Sequence, residues 1–336
     1  MMTGRLHIDG KDAYRVYGVY VEDGGWNELV SMPPLKTVES NDWQEEDGIE
    51  VDLSEPVLDT RTVTIKFALT KAYSRYFSLI EALSDGAYHT FDCTHIGRIY
   101  RLRLVGVGSF DAADILGEVS LKFADDFPLD NYHYREPSSN ILFSDRFQLD
   151  TVPFCQYGVH ILQGTLSEIV KTPDVKQNLL RDIQSQQGAI YDAQRVTYKS
   201  KDVKLSCLMR ADTLTELWNN YDALLYNLIR PEERLLWIDD LEQDFPCYYK
   251  QCNVTQFYPE DRIWLKFELT LTFIHDFRIT DDDMVLASES NIIVFTEDGQ
   301  CAIELLPDEY LYPSFRFVNN RSTIRLTANR NIRFNN

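Results

Sequence analysis

Two stretches of the chain alternate between apolar and polar residues. They are Val63-Thr64-Ile65-Lys66-Phe67-Ala68-Leu69 and Val203-Lys204-Leu205-Ser206-Cys207-Leu208-Met209. Period-two alternation predicts strands with one buried face. Each stretch is followed by apolar residues at helical spacing. In the second case Leu214, Leu217, Trp218, Tyr221, Leu224, Leu225 and Leu228 form one stripe, and Thr213 and Glu216 have the spacing of a capping box at its start. In the first, Tyr76, Phe77, Ile80, Ala82 and Leu83 form a shorter stripe. Further strands are predicted at Tyr88–Asp92, Val119–Phe123, Leu235–Asp239 and Leu269–Phe273, segments rich in Tyr, Phe, Val, Ile and Thr.

These segments form an internal repeat. Tyr17-Gly18-Val19-Tyr20-Val21 recurs 140 positions later as Tyr157-Gly158-Val159-His160-Ile161, and Gly48 and Asp52 recur as Gly188 and Asp192. Phe77 matches Trp218 at an offset of 141, and Val119–Phe123 aligns with Leu269–Phe273 at 150. The drift is ordered and runs one way, as small insertions in a tandem duplication would produce. The predicted organisation is a first module over 1–128, a linker over 129–151, a second module over 152–278 and a small β block over 279–336. The fold class is mainly β with helices: two tandem small barrel or sandwich modules, each flanked by one helix. In the last block, Ile292–Phe295, Ala302–Leu306, Ser314–Val318 and Thr323–Thr327 are expected strands.

Charge changes this picture unevenly. The chain has 336 residues and a formal charge of −20. Residues 22–59 contain twelve acidic residues and a single base, Lys36, whereas the last 21 residues contain five arginines and no acid. The stretch matching the acidic arm, 162–199, places Lys171, Lys176, Arg181 and Arg195 beside Glu168, Asp174, Asp182 and Asp192, so the duplicate did not keep the acidity. Such a balance argues against a protein that grips duplex DNA, which needs clustered Lys and Arg. Opposite patches on one chain suit docking between subunits. No apolar run reaches the roughly 20 residues of a membrane span, and the first ten residues lack the apolar core of a signal peptide.

Candidate chemistry is sparse. The six cysteines are widely spaced and fit buried free thiols better than a zinc site. The six histidines are scattered without metal-ligand spacing. Gly106-Val107-Gly108 lacks a third glycine, and Asp281-Asp282-Asp283 lacks the spacing of a calcium loop. No catalytic, cofactor or metal site is therefore expected. Trp26 and Trp43 lie in the acidic arm and are candidate interface anchors. Together with Glu45, Glu46 and Asp47, and with Arg321, Arg325, Arg330 and Arg333 at the basic end, they make up the candidate interaction set.

Ile8-Asp9-Gly10-Lys11-Asp12, then Tyr17-Gly18-Val19, a long arm and a β/α/β module resemble phage tail proteins of the distal-tail and tail-tube kind. Two such modules in tandem resemble tail-hub proteins. The resemblance implies a non-catalytic part of a phage or prophage tail, or of a related injection apparatus. Such a part would self-associate as a ring of three or six copies, contact other tail or baseplate proteins, and pass DNA as cargo without binding it. It would be assembled in the host cytoplasm and then reside in the virion tail. Distal-tail proteins carry one such module and a following binding part, and this chain departs from that pattern. Two other readings are open from the residues: a carbohydrate- or surface-binding β-sandwich that uses exposed aromatics, and a hydrolase with a hidden carboxylate pair.

Overall fold

The first module begins with β1 (His7–Ile8), β2 (Lys11–Asp12), α1 (Ala13–Tyr17), β3 (Val19–Val21) and α2 (Asn27–Val30). An arm with the short strands β4 (Ser40–Asn41) and β5 (Glu50–Val51) follows, then β6 (Arg61–Leu69), α3 (Tyr73–Leu83), β7 (His89–Cys93), β8 (Arg98–Ala113) and β9 (Leu116–Asp125). The second module repeats the order. It contains β10 (Phe147–Leu149), β11 (Val152–Pro153), a 3-10 turn over Phe154–Tyr157, β12 (Val159–Ile161) and α4 (Thr165–Val170). Its arm strands are β13 (Arg181–Asp182) and β14 (Ala189–Ile190), and it closes with β15 (Lys201–Ala211), α5 (Leu214–Leu228), β16 (Arg234–Ile238), β17 (Gln243–Tyr258) and β18 (Ile263–Phe273). This computed structural model describes residues 3–70, 73–113, 116–130, 132–139, 146–176, 181–182, 184–185, 187–190, 196–275, 284–285, 303–306, 314–317, 323–326 and 332–335.

The fold is mainly β, and the sheets form half-barrels. The first sheet runs β2-β1-β7-β8-β9-β6-β3 and the second runs β11-β10-β16-β17-β18-β15-β12, so each strand of one has its counterpart in the other. The registers match as well. Val19 pairs with Leu69 as Val159 pairs with Met209, and the arms are pinched by isolated bridges at Leu35–Leu58 and Val175–Tyr198. The repeated Tyr-Gly-Val has a backbone cause. Gly18 and Gly158 take left-handed conformations (φ 72° and 69°) that end the preceding helical turn. A Cβ on Gly158 would lie 2.7 Å from the Arg210 carbonyl.

Register corrects one sequence alignment. Val63 pairs with Phe123, and its counterpart Val203 pairs with Leu271, so the last strands correspond at an offset of 148 rather than 150. A two-residue slip keeps every side chain on the same face, and alternation alone cannot detect it.

One contiguous apolar core runs through both modules, from Leu6, Phe67, Phe91 and Phe123 in the first to Phe245, Phe267 and Phe273 in the second. Cys93, Cys207, Cys247 and Cys252 are free thiols buried in the core. Residues 279–336 form a separate compact unit, in which β19 (Met284–Val285), β20 (Ile303–Leu306), β21 (Ser314–Phe317), β22 (Thr323–Leu326) and β23 (Ile332–Asn335) make an antiparallel sheet in sequential order. The strand expected at 292–295 and the Asp281–Asp283 run lie outside the described residues.

Candidate functional site

The two modules meet along a seam built mostly from backbone groups of the first and side chains of the second. Module 1 contributes α2 and the segment Ser31–Leu35, which lie on β17. Asn27 Nδ2 donates to the Thr255 carbonyl at 2.8 Å, Val254 N donates to Ser31 Oγ at 2.8 Å, and Leu35 N donates to the Lys250 carbonyl at 2.9 Å. The Tyr221 and Tyr249 hydroxyls donate to the carbonyls of Val30 and Pro33 at 2.9 and 2.8 Å. Burial holds both phenols well above their ordinary pKa, so they remain neutral donors. Cys252 lies under the same segment. Burial pushes its thiol up to about 12, and the backbone N–H of Met32 points at its sulfur.

A second part of the seam joins the β7–β8 turn to α5. Trp218 Nε1 donates to the Ile96 carbonyl at 2.6 Å. Arg98 forms an ion pair with Asp222, both side chains buried, and its guanidinium lies 4.3 Å from the Trp218 ring centroid. Asp222 also accepts from the backbone of His133 at 3.1 Å, and Tyr226 donates to the carbonyl of buried Tyr132, so the linker is pinned on the same helix. At the rim, Arg5 pairs with Glu260 at 2.9 Å.

The third part is the acidic arm, whose tip folds onto the second module. Lys176, a buried lysine, donates to the carbonyls of Trp43, Glu46 and Gly48 at 2.6, 2.8 and 2.6 Å and pairs with Asp42 at 2.5 Å. Tyr198 N donates to Asp47 Oδ1 and Gly48 N donates to the Tyr198 carbonyl, both at 2.8 Å. Ile49 N donates to the Ile274 carbonyl at 3.0 Å. Gly48 makes this approach feasible: its φ is +72°, and a Cβ there would stand 1.6 Å from the Ile274 carbonyl oxygen.

The predicted interaction residues therefore separate. Trp26 is buried and is not an exposed anchor: it packs into the core and lines a groove beside β3 that Phe257, Tyr258, Pro259 and Glu260 of the second module also line. Trp43 is half-exposed, and its indole N–H donates to Glu50 at 3.0 Å, an inward tie within the arm. The Glu45 and Glu46 side chains face solvent, while Asp47 is engaged by the second module. Arg325 and Arg333 fall at paired positions of β22 and β23, and Arg321 and Arg330 lie outside the described residues. Sequence reading passed over Lys176. The available signal was its place 140 positions after Lys36, a base at the root of an arm whose counterpart is acidic.

Among the described residues no group of three or more His, Cys, Asp or Glu is placed to hold a metal ion, and no helix is long and apolar enough to cross a membrane. No family model and no curated protein matches the chain. Among solved structures the chain is similar to SPP1 Dit (gp 19.1), described as a paradigm of hub adsorption apparatus in Gram-positive infecting phages. The identity is 11% and the TM-score 0.31, over 80% of this chain and 98% of that one.

Proposed function

We propose that the chain is a non-catalytic structural component of a phage or prophage tail, in its distal-tail, tube or hub region, and that it assembles by self-association into a ring. The observation that carries this reading is the sense of the seam. Two modules of one topology pack head to tail, with α2 and the arm of the first lying on β17 and the arm root of the second. A head-to-tail contact is heterologous, and when its rotation divides a full turn, repetition generates a closed ring. The element order of each module, with the Tyr-Gly-Val turn and the long arm, is what resembles tail proteins. The reading includes contacts with other tail or baseplate proteins, assembly in the host cytoplasm followed by residence in the virion tail, and passage of DNA that is repelled rather than held by net negative charge.

A carbohydrate-binding role would draw on exposed aromatics, with Trp26 and Trp43 as the candidates, and Trp26 is buried. Electron microscopy of the purified full chain tests the proposal. Annular particles with an open lumen are expected, and single compact particles at every concentration would overturn it.

A further inference from the structure

The seam inside the chain uses only half of the surfaces that the two modules carry. Module 1 contributes a front: α2, the segment after it and the arm tip. Module 2 contributes a back: β17, α5 and the root of its own arm. With one topology in both, a front remains on module 2 and a back on module 1.

Strand register fixes which residues correspond. Val107 pairs with Leu121 as Cys252 pairs with Leu269, and Phe110 pairs with Val119 as Val254 pairs with Phe267. Cys252 is 1% exposed beneath module 1, whereas Val107 is 47% exposed. Trp218 is 7% exposed against Arg98, and Phe77, its counterpart on α3, is 64% exposed. At the arm root Lys176 and Thr197 are buried, while Lys36 and Val57 face solvent. The front shows the same contrast. Val30 is 1% exposed and its counterpart Val170 is 47% exposed. Leu35 packs on the core, but Val175 is exposed. The groove beside β3 holds Arg5 and Trp26 and is covered by Tyr258-Pro259-Glu260 of module 2. Its counterpart beside β12, with Arg146 and Leu166, is an open cleft of about 700 Å³ lined by module 2 residues alone.

The buried seam positions Cys252, Val254, Trp218, Lys176, Thr197 and Val30 thus have apolar or basic counterparts left in solvent, and these counterparts group into one back and one front. We infer that the back of module 1, centred on Phe77, Val107 and Phe110, receives the front of module 2 of a second copy of this chain, centred on Val170 and Val175. The contact continues the internal seam from chain to chain. Lys36 of the receiving copy takes the place that Lys176 holds within the chain. This inference rests on the ring reading above and adds the surfaces that join.

The test is a cysteine pair placed by the same correspondence. Thr172 is the counterpart of Met32 and Val107 that of Cys252, the two positions that meet inside the seam. A full chain carrying Thr172→Cys and Val107→Cys, oxidised gently, is expected to give a ladder of covalent multimers on a non-reducing gel that neither single variant gives. A second variant, Val107→Glu with Phe110→Glu, changes only residues exposed in the single chain and is expected to reduce the particle to one chain of 39.1 kDa. Rings that survive the glutamates, with no ladder from the cysteine pair, would overturn the inference and leave the ring reading standing. A wild-type chain that stays monomeric would overturn both.

Discussion

Lys176 binds the arm through three carbonyls and one carboxylate, and the contact depends on its charge. Hydrogen bonds to a charged group are each worth about 1.5–3 kcal/mol, but an arm that swings into water recovers part of this by solvation. Lys176→Met is therefore expected to cost about 2–3 kcal/mol of arm docking rather than the sum of its bonds. Hydrogen exchange should show loss of protection at Gly48 and Ile49 while β15 and β18 keep theirs. Gly48→Ala should release the same segment by a different route, through its positive φ and the blocked approach to Ile274. Asp222→Ala acts deeper, because it strands the buried Arg98 guanidinium. Denaturant unfolding should show a loss of about 3–5 kcal/mol. Lys201 offers a pH test. Burial pulls its pKa from 10.5 to about 8. The folded chain then releases this proton before the unfolded chain does, so the lysine's contribution to stability is least favourable below pH 8 and improves as pH rises from about 8 to 10.5. In melts across that window, wild type should gain on Lys201→Met. Such contacts were hard to read in the sequence, because Lys176 and its acceptors are more than 120 positions apart and only tertiary folding brings them together.

At the scale of elements, the duplication was legible because each copy kept its periodicity. Helix α5 spans Leu214–Leu228 as its stripe required, and Thr213 Oγ1 accepts from Glu216 N at 3.1 Å. The Glu216 carboxylate reaches back to Asp212 N at 3.0 Å, a reciprocal cap. Thr213→Ala should cost about 1 kcal/mol in an unfolding titration. What the pattern could not supply was register and burial. The slip in the last strand preserved every face. Trp26, set between glycines and acidic residues, looked exposed because nothing local announces that α2 is clamped between β6 and β17. That clamp consists of long-range contacts: Arg61 donates to the Leu29 carbonyl at 2.9 Å, and Asn27 reaches Thr255. Helix α5 is covered by the first module within the chain, so Trp218 is buried where Phe77 of α3 is exposed.

At the scale of the molecule, the net charge of −20 is concentrated on an arm whose tip is tied to the second module, so the acidity is held in place rather than left on a free tether. Residues 1–278 share one core across both modules, and their central strands β6 and β15 should open together under native-state exchange. Ring assembly requires the seam to repeat between chains. The measurement that bears on it most directly is the mass of the full chain in solution over a wide concentration range. A closed oligomer of fixed number, three or six copies of 39.1 kDa, is the predicted result. A mass of 39.1 kDa at every concentration, or growth without a fixed end, would contradict it.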